Sequence, residues 1–84
     1  MVQYLIMCRS LTYAQKAARV LEQVGLTVSI QRAPKEISKE GCAYCVKVSE
    51  RKLEIALIEL RAAGARFGRL YRRDSSGILR EVAL

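Results

Sequence analysis

Residues 26–48, LTVSIQRAPKEISKEGCAYCVKV, contain two alternating runs with no helical segment between them. In the first run Val28 and Ile30 fall on one face and Thr27, Ser29 and Gln31 on the other, the period of two expected of a strand with one buried side. Pro34 cannot continue a ladder and ends this run. In the second run, residues 43–48, Tyr44, Val46 and Val48 oppose Cys45 and Lys47. These are strands β2 (residues 26–32) and β3 (residues 43–48), and their direct succession sets the order of the remaining elements.

Upstream, residues 2–8 (VQYLIMC) form an apolar run whose polar Gln3 places Tyr4, Ile6 and Cys8 toward a core. This is β1. Ser10 or Thr12 can cap a helix α1 in which Leu11, Ala14, Ala17, Ala18, Leu21 and Val24 recur at helical spacing until Gly25 stops it. Downstream, Ser49 is the expected cap of α2, with Leu53, Ala56, Leu57 and Leu60 as its apolar stripe and Gly64 as its end. Residues 68–73 give β4, and the turn-forming Asp74-Ser75-Ser76-Gly77 leads into an extra edge strand over residues 78–82. The order β-α-β-β-α-β predicts an α+β, ferredoxin-like split βαββαβ sandwich: one antiparallel sheet, two helices on one face, and β1 beside β3 at its centre.

All 84 residues are read as one domain, residues 1–84, at a size just sufficient for a core without staples. No apolar run approaches the ~20 residues needed to cross a bilayer, and no signal-peptide pattern is present. A cytoplasmic location and no membrane association are therefore expected, and with them reduced cysteines. The net charge of +7 rests largely on ten arginines, clustered at Arg66, Arg69, Arg72, Arg73 and Arg80. Such a surface favours anions of any kind without naming one.

Cys8, Cys42 and Cys45 carry the candidate chemistry. The expected sheet brings the end of β1 and the start of β3 to one edge, near the N-terminus of α1, so the three thiols are expected to converge there. That environment, with Lys35, Lys39 or Arg9 nearby, favours a thiolate. Cys8 reads as a small buried hydrophobe, and Cys45 as a strand residue on the outer face. Cys42 follows Gly41 in a connection, where a partner can reach it, and is the expected nucleophile. The C-x-x-C spacing of Cys42 and Cys45 places two sulfurs together only if the backbone turns, since three extended steps span about 10 Å and end on opposite faces. A dithiol would thus require β3 to begin after Tyr44. With no histidine in the chain, a four-ligand zinc site would need Glu40 or a second subunit; no metal or cofactor is expected.

Residues Pro34-Lys35-Glu36-Ile37-Ser38 followed by Gly41-Cys42-Ala43-Tyr44 resemble the motif of a small bacterial family described as selenium/sulfur carrier-like proteins. The resemblance extends over approximately residues 4–71. It implies that Cys42 carries sulfur or selenium, that Pro34, Ser38 and Gly41 form its supporting loop, and that a donor such as a cysteine desulfurase loads it. Cys45 departs from the family pattern and, like Cys8, is a candidate resolving thiol.

Two other roles compete. A nucleic-acid-binding module would use an open sheet face of Met7, Gln31, Lys47, Arg69, Tyr71 and Arg73, which is basic but short of the aromatics that RNA-binding sheets of this architecture display. A regulatory module would instead form a homodimer through that face, burying Leu5, Met7 and Cys45. Enzymatic turnover finds little support in a chain with one aspartate, no histidine and no phosphate loop.

Overall fold

The computed structural model describes residues 1–38 and 43–84. Its elements are β1 (Gln3–Cys8), α1 (Leu11–Gln23), β2 (Ser29–Arg32), β3 (Tyr44–Ser49), α2 (Leu53–Ala62, preceded by the 3-10 turn Glu50–Lys52), β4 (Leu70–Arg73) and β5 (Leu79–Val82). The chain is α+β, with two helices and a five-stranded antiparallel sheet in the order β2-β3-β1-β4-β5. β1 and β3 are neighbours near the centre, as the sequence predicts. The sheet differs from a four-stranded arrangement by β5, which takes the edge beside β4.

Local chemistry explains the boundaries. Ser10 caps α1, its Oγ accepting from the Tyr13 N–H at 3.3 Å. Both helices end on a glycine at positive φ, Gly25 at 85° and Gly64 at 67°. In each case the next residue donates back into the last turn: Leu26 N–H to Leu21 O and Ala65 N–H to Leu60 O, both at 3.0 Å. This closure satisfies helix-end carbonyls and turns Leu26 into the core, where it is buried. That is why β2 starts at Ser29 and not at residue 26. At the β4–β5 turn, one Asp74 carboxylate oxygen accepts from Ser76 N–H, Ser76 Oγ and Ile78 N–H at 2.9, 2.6 and 3.1 Å. Gly77 supplies the positive φ of 90° the turn requires.

Both helices pack on one face of the sheet. Ala14, Ala17 and Leu21 of α1 and Ala56 and Leu60 of α2 share a core with Ile6, Cys8, Val46, Val48 and Leu70. The predicted ends of the α1 stripe lie outside it, since Leu11 and Val24 are exposed. The other face is not open. Leu5, Met7 and Cys45 form a second buried cluster with Ile37, flanked by Ala33, Tyr71 and Leu79. Ile37 comes from the connection after β2, where its N–H closes a turn onto Pro34 O at 3.1 Å, and its side chain lies across the strands. No helix among the described residues is long and apolar enough to cross a membrane.

Candidate functional site

The site is the β1–β3 end of the sheet, where the register pairs Cys8 with Tyr44 and Met7 with Cys45. Neighbouring positions on a strand face opposite ways, and the two cysteines obey this. Cys8 lies in the helix-side core, its Sγ–H directed at Ile6 O at 3.7 Å. Cys45 lies in the outer cluster. The expected convergence of these two sulfurs therefore does not occur. They share an end of the sheet but are separated by its thickness, which excludes a disulfide between them without rebuilding the strands. Both have no accessible surface.

Burial pushes the Cys45 thiol above its ordinary range; the Arg73 guanidinium, a hydrogen bond with the Gln31 side chain and the Lys47 ammonium pull it the other way and do not prevail. Gln31 stands opposite Cys45 in the β2–β3 register. A thiol that is both covered and held protonated is a poor nucleophile in the resting fold.

Cys42, Gly41 and Lys39 lie outside the described residues, as does Glu40. The flanks of their connection are described. Ala33 N–H donates to Ala43 O at 2.9 Å, extending the β2–β3 ladder by one step beyond Tyr44. Pro34 is half-buried, Lys35 and Ser38 are exposed, and Ile37 between them is buried on Cys45. β3 begins at Tyr44, earlier than the start after Tyr44 that a Cys42–Cys45 dithiol would require, and Cys45 is itself a strand residue.

The outer face also changes the competing roles. Leu5, Met7 and Cys45 are already buried within the chain, so they are not a bare patch awaiting a second subunit, nor is Met7 available to a nucleic acid. Arg73 donates to Gln3 Oε1 at 3.0 Å, which fixes its guanidinium on the sheet, and Arg69 lies 3.9 Å from Glu81, which offsets part of its charge. Sequence reading missed Ile37 as the cover of Cys45. Its one signal is a large aliphatic residue isolated in a polar connection, and isolation gives no period from which to predict a face.

A family model described as "Putative Se/S carrier protein-like" matches residues 3–72. No curated protein matches the chain, and no solved structure does.

Proposed function

The chain belongs to the Se/S carrier protein-like family, and on that premise we propose that it is a thiol carrier of sulfur or selenium with Cys42 as its carrier residue. The supporting observation is the placement of the other two cysteines. Cys8 and Cys45 are fully buried on opposite faces, whereas Cys42 belongs to the connection that Ser38, an exposed residue, leads into. The ferredoxin-like reading of the sheet is supported by the adjacent central strands β1 and β3 and by two helices on a single face.

The transfer is an exchange at sulfur. The Cys42 thiol loses its proton to solvent, and the thiolate attacks the terminal sulfur of a donor persulfide, R–S–SH. A new S–S bond forms on Cys42 as the donor S–S bond breaks; the donor leaves as R–S⁻ and takes up a proton. The sulfane sulfur changes partner with no net oxidation. A selenium atom follows the same course from a selenenyl donor. A cysteine desulfurase is the class of protein that supplies such a persulfide, and the site works inside the cytoplasm, where thiols stay reduced. Discharge reverses the exchange onto an acceptor thiol; Cys45 serves as a resolving thiol only if Ile37 is displaced from it.

The test is intact-mass spectrometry after exposure to a small-molecule persulfide donor. Wild type, Cys8→Ala and Cys45→Ala proteins should gain one sulfur and lose it to dithiothreitol. Cys42→Ser should gain none. Undiminished loading of Cys42→Ser would reject the assignment.

A further inference from the structure

A basic groove runs along α1, starting at Arg9, the residue after Cys8. Two adjoining cavities, of about 390 and 620 Å³, share Tyr13, Ala65 and Arg66 as walls. The first opens at the start of α1 and reaches Arg9 and Phe67; the second continues beside Lys16 and Arg19. Together they form a channel between α1 and the segment that follows α2.

The electrostatics of this channel are one-sided. Arg9, Lys16, Arg19 and Arg66 are all exposed, and none has an ion-pair partner among the described residues. No described acidic residue lines either cavity. The first turn of α1 also holds no acidic residue to offset the positive end of the helix. Four cations along a concave surface focus a positive potential, and their mutual repulsion is relieved by a bound anion. From Leu11, the first helical residue, to Arg19 the helix rise of 1.5 Å per residue gives about 12 Å, with Arg9 beyond that start, enough for several charges in a row and too extended for one small ion.

The aromatic content narrows the partner. Tyr13 and Phe67 are both half-buried, resting on the core while keeping part of each ring accessible. Lys16 sits over the Tyr13 ring, 6.0 Å from its centroid. Cations that track a backbone and aromatic rings on which bases stack are the two components of single-strand recognition. An acidic peptide would use the charge and leave the rings idle. We infer that this groove binds single-stranded nucleic acid, with phosphates on Arg9, Lys16, Arg19 and Arg66 and a base against Phe67 or Tyr13. No cysteine lines this groove, so nucleic-acid binding there is independent of sulfur carriage.

Fluorescence anisotropy with labelled oligouridylate, oligodeoxythymidylate and a glutamate-rich peptide tests it on the intact chain. Either oligonucleotide should bind at low salt, with log affinity falling against log salt at a slope of about −3, the value for four phosphate contacts on a single strand. Replacing Lys16 and Arg19 together with alanine should flatten that slope by about 1.4 and weaken binding at least about tenfold, while Arg72→Ala with Arg80→Ala, an equal loss of charge on the β4–β5 hairpin, should cost less than about threefold. Thermal melts of both double variants serve as the folding control; if the groove variant melts early the single Arg66→Gln variant replaces it, and if the hairpin variant does the single Arg80→Gln variant replaces that one. Absence of binding at low salt, equal losses in the two double variants, or tighter binding of the peptide would overturn the inference.

Discussion

Truncating Ile37 to alanine should uncover Cys45 without touching the helix-side core. Ile37 is 8% exposed and packs on Leu5, Met7 and Cys45. Core Ile→Ala changes cost about 2–5 kcal/mol, and the low end applies here because the side chain enters the cluster from one side, on a connection that can settle into the space left. At about 2 kcal/mol the population in which this segment has lifted rises about thirtyfold, given a factor of ten per 1.4 kcal/mol. Cys45 reacts only in that opened population, so its alkylation rate should rise by the same factor. The assay is pulsed alkylation of the native protein followed by peptide mass mapping, with urea unfolding to record the accompanying loss of stability. If Cys45 of the wild type already reacts as fast as in urea, or if Ile37→Ala changes its rate less than about twofold, Ile37 is not its cover and the reasoning fails.

Other expectations concern stability. Because the folded protein holds the Cys45 proton more tightly than the unfolded chain, its contribution is fully present below the ordinary thiol range, about 8.5, and is lost as pH rises through the raised folded value. A difference curve of urea midpoints between wild type and Cys45→Ala should therefore bend downward above about pH 8.5; a flat difference would show no linkage. The Asp74 carboxyl is held below its usual range, first by the Ser76 side chain and then by the Ile78 N–H, so the hairpin contribution is present above the ordinary aspartate range and lost as pH falls through the lowered value. Asp74→Ala should raise amide exchange at Ser76 and Ile78 while leaving β1 amides protected, and unchanged exchange at both sites would discount the turn network. Ser10→Ala removes the Tyr13 N–H acceptor and should lower stability by about 1 kcal/mol, read as a shift in urea midpoint with an unchanged slope.

Much of the scaffold was legible in local pattern. The alternation of Tyr44, Val46 and Val48 against Cys45 and Lys47 gave both the strand and its helix-side face, and Gly25 and Gly64 marked helix ends that their positive φ explains. Parity also placed Cys8 on the core side correctly. What local pattern could not supply was the second face. Leu5 and Met7 stand between Tyr4, Ile6 and Cys8 in an unbroken apolar run, which is the signature of a strand covered on both sides, yet the cover comes from Ile37, a single residue far along the chain with no periodic neighbours. The expected meeting of Cys8 with Cys45 failed for a different reason. Strand order fixes which ends lie together, but register parity decides the face, and Cys8 and Cys45 differ by one step. The basic groove was likewise invisible as a unit, because Arg66 joins Arg9, Lys16 and Arg19 only after α2 has packed beside α1.

If Cys42 is the reactive thiol of the three, native-state alkylation across pH with peptide-level mass spectrometry will single it out. Cys42 should be modified first, at a pH below about 7 and so under the ordinary thiol value of about 8.5, with Cys8 and Cys45 protected until the protein unfolds. Modification of Cys8 or Cys45 in the native protein at a rate equal to that of Cys42 would contradict it.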